Sequence, residues 1–553
     1  MRLILITLFP VILISFACQQ GEKQEGKMEE KIAEFARTDI KYDPSLLDDN
    51  QKIVVEKLYR ASKLIDELFL EQAYSKNFEI RDSLRAGTDP EAALKLEYFN
   101  IMFGPFDRID DNAPFIGSTP RPEGANFYPE DMTKEEFNNW LKEHPEDRES
   151  FISEFTMIRR HGDKLKAIPY SEYFAEKLQK IAGYLREAAE YADNPSLKKY
   201  LTTRAEAFLS NDYFESDMAW MDLKDHTIEV VIGPYEVYED KLFNYKASFE
   251  SFITLRDPEE SKKLEKFAAY LDEMEQHLPI PEEHKNFGRG SESPMVVVQE
   301  VFSAGDTKSG VQTLAFNLPN DERVREAKGS KKVMLKNLHE AKFSKLLYPI
   351  AEIVLEPDQL AHVTFEAFFN HTLMHEMSHG IGPGTITVDG RETTVKNELK
   401  ETYSKLEECK ADILGTYNNM LMIEKGIFPP EFKEQTYCTV LAGIFRSIRF
   451  DITEAHGAGN AIIFNYLLEG GAYSFDEQQI KVRVDYEKVY PVLEKLATEL
   501  LMIQAKGDYA GAKAMIAKYA VNSPAIRAVR AKLDHLPVDI KPVFQIEKEF
   551  GGI

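Results

Sequence analysis

His375-Glu376-Met377-Ser378-His379 is the densest concentration of chemistry in the chain. It sits in an apolar run from about Val363 that includes Phe365, Phe368, Leu373 and Met374, a spacing that predicts an α-helix. Positions four apart on a helix lie about 40° apart around the axis and about 6 Å along it, so both imidazoles can reach one ion. Glu376 is placed to act as general base on a water beside that ion without binding the ion itself. With 12 histidines in 553 residues, such a window is expected only ~0.02 times by chance. A catalytic zinc takes three protein ligands and keeps a fourth position open. The third comes from Leu406-Glu407-Glu408-Cys409-Lys410-Ala411-Asp412, within a helix predicted from about Leu399 to Ile423. Glu408 and Asp412 are four apart on one face, which suits a carboxylate ligand plus a carboxylate on the free N–H of a ligand imidazole. Glu407 points about 100° away, where it either braces the other histidine or joins a solvated helix face. His371 lies one turn before His375 and reads as a surface or supporting histidine, because a fourth ligand would close the site. Gly380, Gly382 and Gly384 end the helix.

The elements that must hold this centre follow from periodicity. Leu46 to Tyr74 places Val54, Leu58, Ala61, Leu64 and Leu68 at helical spacing, and helices resume across Lys134–Leu141 and Tyr170–Leu209. Between them, Gly104 to Asp131 is rich in Pro, Gly and Asn but too aromatic for a linker, so an ordered loop is expected. Thr227–Ile232, Pro234–Tyr238, Pro294–Phe302 and Thr313–Asn317 are β-branched or aromatic runs of strand length. From Lys342 to about Tyr519 nearly everything reads as helix.

Composition narrows the function classes. At 43% hydrophobic, with 35 Phe and 25 Tyr, the chain is globular with ample core. Its 68 basic and 93 acidic residues leave a net charge of −25, which excludes a binder of nucleic-acid backbone. Met1-Arg2 is followed by an apolar run from Leu3 to Phe16, shorter than the about 20 residues a membrane span needs, so it reads as a secretory signal. Ala17-Cys18 resembles the bacterial lipobox, in which the cysteine carries lipid, although Ser15 and Phe16 depart from its usual pattern. The expectation is a signal over 1–18, a tether over 19–43, and an exported cell-envelope lipoprotein whose only membrane contact is the anchor. Cys409 and Cys438 read as buried small hydrophobes.

HEMSHGIGPG together with EECKAD resembles the dipeptidyl peptidase III family of zinc exopeptidases, and within it a short bacterial branch with the plain pentapeptide. GPFDRIDDNAPFIG, DYFESDMAWMDL and GPYEVYEDKLFNYKASFESF extend the resemblance over most of the mature chain. Three further sites are implied by it. Glu236 and Tyr238, two apart in a predicted strand and therefore on one face, match residues that hold the substrate's free amino terminus and its scissile carbonyl. Asn317 and Asn320 match a stretch where a peptide pairs along a strand edge. His456 matches a histidine that stabilises the transition state. Read alone, Tyr238 is a packing residue, the asparagines end a strand, and His456 is structural. Where many members carry Arg, this chain has Asn460, so another residue must meet the substrate's carboxyl side; Arg527 and Arg530 are candidates.

The fold expected is α+β, and the resemblance implies two lobes flanking a cleft, one of them built around a small β-barrel. A mixed lobe with a small β-barrel core takes residues 44–256 and about 300–344, and a helical zinc-binding lobe takes about 257–299 and 345–525. Residues 526–553 return to the mixed lobe. The resemblance implies one catalytic Zn²⁺ and release of dipeptides from short peptides with a free N-terminus. His₂Glu also suits cobalt or manganese. Rival readings are a zinc endopeptidase or aminopeptidase on the same site, and a lipid-anchored peptide-binding protein with structural zinc.

Overall fold

A capping box opens helix α1 (Asp49–Ala73): the Asp48 side chain accepts from the Gln51 N–H, and the Gln51 side chain accepts from the Asp48 N–H. Val54, Leu58, Ala61 and Leu68 are fully buried, as their spacing requires. Helix α2 (Ala175–Tyr191) packs on α1, and α3 (Pro195–Ser210), capped by the Asn194 side chain, packs on α2. In this computed structural model residues 27–287 and 294–551 are described. The expected signal over 1–18, with Cys18, lies outside them.

Seven strands position the rest: β1 (Phe35–Ile40), β2 (Ile228–Glu236), β3 (Ser248–Arg256), β4 (Met295–Gly305), β5 (Ala315–Leu318), β6 (Lys331–Leu335) and β7 (Asp539–Phe544). β1 and β7 pair in parallel, so part of the stretch read as a tether is hydrogen-bonded to the far end of the chain. Composition could not reveal that, because a strand's partner is a long-range fact. The other five form one sheet in the order β2-β3-β4-β6-β5, antiparallel except for the parallel β4–β6 pair. β2 and β5 are its edges and do not pair with each other, so the sheet is open. This corrects the expected barrel: closure depends on strand stagger and tilt, which the sequence pattern does not encode.

Among the described residues, and beside two smaller clusters, two large hydrophobic cores form. One gathers α1, α2, α3 and most of the sheet; the other gathers the helices from Leu264 to Leu533. The sheet's two-residue alternation joins them. Val296 and Val298 on β4, and Val333 and Leu335 on β6, belong to the first core, whereas Val297 and Met334 belong to the second. By the same alternation Lys332 faces the second core, where His375, His379 and Glu408 lie.

Candidate functional site

The second core is built on α4 (Phe365–Ser378), α5 (Tyr403–Glu424), α6 (Phe432–Ile448), α7 (Ala455–Glu469) and α8 (Tyr486–Lys506). Thr364 caps α4 through Ala367 N. Two glycines let the helices approach at the site. A methyl group at Gly415 of α5 would lie 3.0 Å from the His375 nitrogen, and one at Gly459 of α7 would lie 2.9 Å from the Cys409 nitrogen. Cys409 is therefore a small packing residue at the α5–α7 contact; burial pushes its thiol pKa far above the usual range.

At this crossing His375, His379 and Glu408 each offer one atom, and the three lie within 4.8 Å of one another. Glu408 Oε2 is 3.4 Å from His375 Nε2 and 3.9 Å from His379 Nε2. The opposite ring nitrogens are held from behind. Asp412 Oδ1 is 2.8 Å from His375 Nδ1, and Glu407 Oε1 is 2.9 Å from His379 Nδ1. These bonds orient both Nε2 atoms toward the shared centre. A further layer holds the carboxylates: Asn460 donates to Asp412 Oδ2 at 2.9 Å, Gln504 donates to Glu407 Oε2 at 3.1 Å, and Lys410 pairs with Glu407 at 2.8 Å. The basic residue of EECKAD thus neutralises the carboxylate that braces His379. His371 does not join the ligand group; its Nε2 meets the Asp412 carbonyl at 3.2 Å.

The donor set suits a metal ion on an observation independent of the motif. Glu408 Oε2 is buried and makes no hydrogen bond of acceptable geometry, although it faces the two Nε2 atoms and His456 Nδ1 at 3.1 Å. Burial disfavours a charged His375, yet Asp412, Glu408 and Glu376 raise its pKa to about 10. Glu408 is half-buried, which would raise its pKa, but the nearby His375 and His456 imidazoles hold its carboxyl far below the usual range. Such a knot of carboxylates around imidazoles is an environment that a divalent cation satisfies.

Lys332 is the residue that the sequence did not single out. Its Nζ donates to the Glu376 main-chain carbonyl at 2.6 Å and to Glu376 Oε2 at 3.1 Å. The last four carbonyls of a helix lack intrahelical partners, so one lysine from the sheet both caps α4 and fixes the Glu376 carboxylate, the candidate general base. Burial would raise the Glu376 pKa, but Lys332, then His375 and His379, keep it lowered, so it stays ionised and able to take a proton.

The residues expected to meet the peptide form a second group. β2 is one strand with a bulge between Pro234 and Glu236, where the sequence suggested two runs, and it ends at Glu236. Pro234 has no N–H for the ladder and Gly233 turns at φ 157°, which together break the regular alternation. Because β2 ends at Glu236 and Tyr238 lies in the turn that follows, the expected shared strand face of the two is not formed. Tyr238 is 66% exposed. Asn320 donates to the Tyr235 carbonyl at 3.0 Å and to Glu236 Oε1 at 3.4 Å, holding the Glu236 carboxylate, whose pKa burial raises. Asn317 is exposed on edge strand β5, in register with Lys332. None of these four residues lines the cavity of about 470 Å³ that opens beside His375, Glu376 and His456. Arg446 does line it; Arg527 and Arg530 do not.

Comparison with known proteins bears on kinship and fold. The family model of peptidase family M49 matches residues 146–386. The solved structure of DPP III from Caldithrix abyssi is 70% identical, with a TM-score of 0.93 over 95% of this chain and 100% of that one. Dipeptidyl-peptidase III from Corallococcus sp. strain EGB is 43% identical, with a TM-score of 0.80 over 95% and 98%. A protein of Arabidopsis thaliana named Nudix hydrolase 3 is 37% identical over 97% of this chain and 76% of its own length. Its name stands apart from the other findings, and part of its length lies outside the match. Shared sequence and fold along nearly the whole chain settle the kinship: it belongs to peptidase family M49, the dipeptidyl peptidase III family of metallopeptidases.

Proposed function

We propose that the chain is a zinc-dependent dipeptidyl peptidase that acts on short peptides with a free N-terminus. The observation that carries this reading is the convergence of His375, His379 and Glu408 around one point, with Glu376 beside it and held in its ionised form. A zinc ion held there would polarise the scissile carbonyl and acidify the attacking water. Glu376 takes the proton of that water and passes it to the leaving amine. His456, one hydrogen-bond length from Glu408, stands ready to donate to the oxygen that gains charge, and Tyr238 shares that role. Glu236 pairs with the substrate ammonium and so sets how many residues fit before the cut. Its half-buried carboxylate, steadied by Asn320, suits that task. A peptide would add along the free edge of β5 past Asn317, taking affinity from main-chain hydrogen bonds and so tolerating many side chains.

Two cores joined through one sheet support a two-lobe arrangement with a cleft between, divided near residues 257, 300, 345 and 526 as the sequence suggests. Closure of the lobes would carry Glu236 and Tyr238 toward the metal centre. Residues 1–18 would export the chain and lipid on Cys18 would anchor it. Among the described residues no helix is long and apolar enough to cross a membrane.

One hexapeptide, supplied with a free and with an acetylated N-terminus, each with and without a chelator, tests the reading by mass spectrometry of the products. Chelator-sensitive release of dipeptides from the free form alone is the expected result. Equal cutting of the acetylated form would leave a general metalloendopeptidase, and single-residue release would leave an aminopeptidase. Radiolabelled palmitate on the wild type but not on a Cys18→Ser variant checks the anchor.

A further inference from the structure

The cavity beside the metal centre is walled by the segment Val311–Ala315 leading into β5, by Phe368 and His371 of α4, and by α6, and it reaches Glu376 and His456. One charged group in its wall stands out. Among the described residues Arg446 of α6 makes no hydrogen bond or ion pair; its Nε is buried without a partner there, and its guanidinium stands 5.9 Å from the centre of the Phe368 ring. The acids that face it are already engaged. Asp412 holds His375 and Asn460, and Asp539 is paired with Lys342, the other cation of the wall, and accepts from Gln312 N. Burial without a partner lowers the Arg446 pKa. A guanidinium held half-buried in a cavity with no counter-charge at hydrogen-bond distance is costly unless the site is completed by an anion, and its planar fork matches a carboxylate.

We propose that Arg446 binds a substrate carboxylate on the leaving side of the scissile bond, so that the cavity selects short peptides whose free C-terminus falls within it. This rests on the peptidase reading and adds a second end to the recognition: Glu236 takes the ammonium and Arg446 the carboxylate. It also accounts for Asn460. The amide there is committed to Asp412 and to the His456 carbonyl at 3.0 Å, so it meets no substrate charge, and α6 supplies that charge. An acidic side chain following the cut offers the same chemistry and is the other source of the carboxylate.

A set of neutral-side-chain peptides of three to six residues, each as free acid and as C-terminal amide, separates the sources, with products followed by mass spectrometry. For the length that fits, kcat/KM of the acid is expected to exceed that of the amide by about 10- to 100-fold, the worth of one charge-assisted bond. In Arg446→Met that ratio falls to near one, and Arg446→Lys restores part of it. Calorimetry with the Glu376→Gln variant reads the same acid-over-amide ratio as a difference in Kd. An amidated peptide that regains the lost factor when an Asp follows the cut would assign the carboxylate to a side chain. Dipeptide release with equal rates for acid and amide at every length, and no gain from Asp, overturns the role of Arg446 and leaves the peptidase reading standing. Absence of dipeptide release from any wild-type substrate overturns the peptidase reading instead. The wild-type ratio decides even if Arg446→Met does not fold.

Discussion

Asp412 and Glu407 do the same task on opposite histidines, yet their neighbours make the two carboxylates unequal, and this can be measured. In Asp412→Asn the amide oxygen must stay toward His375 Nδ1, which places the NH₂ against the Asn460 NH₂, where the donor now sits 2.9 Å from Oδ2. Asn460 cannot turn over, because the same NH₂ also donates to the His456 carbonyl. The variant therefore loses a charged acceptor on a ligand imidazole and buries two opposed donors, a cost of about 1–3 kcal/mol. In Glu407→Gln the new NH₂ would face Gln504, whose own Oε1 is buried without a partner. Gln504 can rotate its amide and accept. Removing such a supporting carboxylate costs about 10–100-fold in metal affinity; Asp412→Asn should fall at the upper end and Glu407→Gln at the lower.

Folding stability should order the other way. Glu407 is the ion-pair partner of Lys410, whose side chain is only 3% exposed. Breaking a buried pair from one side costs about 3–5 kcal/mol, moderated here by the bond from Lys410 to the Ile381 carbonyl at 3.0 Å. In Asp412→Asn the stranded partner is His375, which can shed its proton far more cheaply than a lysine can. Zinc affinity by competition with a chromophoric chelator and thermal unfolding of the metal-free protein read the two quantities. Equal affinity losses, or an Asp412→Asn variant that binds within about twofold of wild type, would refute the reasoning.

Lys332→Met should lower kcat by about 10–100-fold with little change in KM, because Glu376 loses the bond that fixes its carboxylate, while Lys332→Arg keeps most of the activity; steady-state kinetics decide. Glu300 is fully buried, and that burial pushes its pKa up to about 7. Its neutral form is favoured in the fold, so stability is complete below about pH 4.5 and lost as pH rises through 7, by on the order of 3 kcal/mol; Glu300→Gln should unfold at a higher temperature than wild type at pH 8 and gain less at pH 5. Gly459→Ala forces α5 and α7 apart at Cys409, with an expected loss of about 1–3 kcal/mol and weaker zinc binding as Glu408 shifts. Gly183→Ala, inside α2 with nothing within 4 Å of the added methyl, should stabilise by about 0.5–1 kcal/mol in urea melts.

What the sequence could show was local. The helix from about Val363 and the one ending near Ile423 match α4 and α5 because their periodic apolar residues and the ligand spacing obey the same 3.6-residue rule. The run Pro294–Phe302 lies within one residue of the start of β4 but falls three short of its end, since the buried stretch continues through Ser303 and Ala304. Tyr238 falls outside the expected strand because β2 stops at Glu236 and the chain turns there, an end that the apolar and aromatic pattern does not announce. Arg446 drew no attention because, in sequence, it is one more basic residue on an amphipathic helix; its meaning lies in what is not near it.

Lys332 shows why the remainder was hidden. In Lys331-Lys332-Val333-Met334-Leu335 the two lysines look alike, and alternation says only that they point to opposite faces. Which face is which depends on the partners. Lys331 pairs with buried Glu229 at 3.2 Å on the side of the first core, while Lys332 reaches Glu376 on the side of the second. One residue of strand register thus separates a structural ion pair from a hold on Glu376, and a one-residue slip of β6 would exchange them. The parallel pairing with β4 and the antiparallel pairing with β5 fix that register from both sides. The sheet that expectation cast as a barrel in the other lobe therefore reaches the candidate site directly: its central alternation carries the contact by which a strand orients the Glu376 carboxylate of a helix.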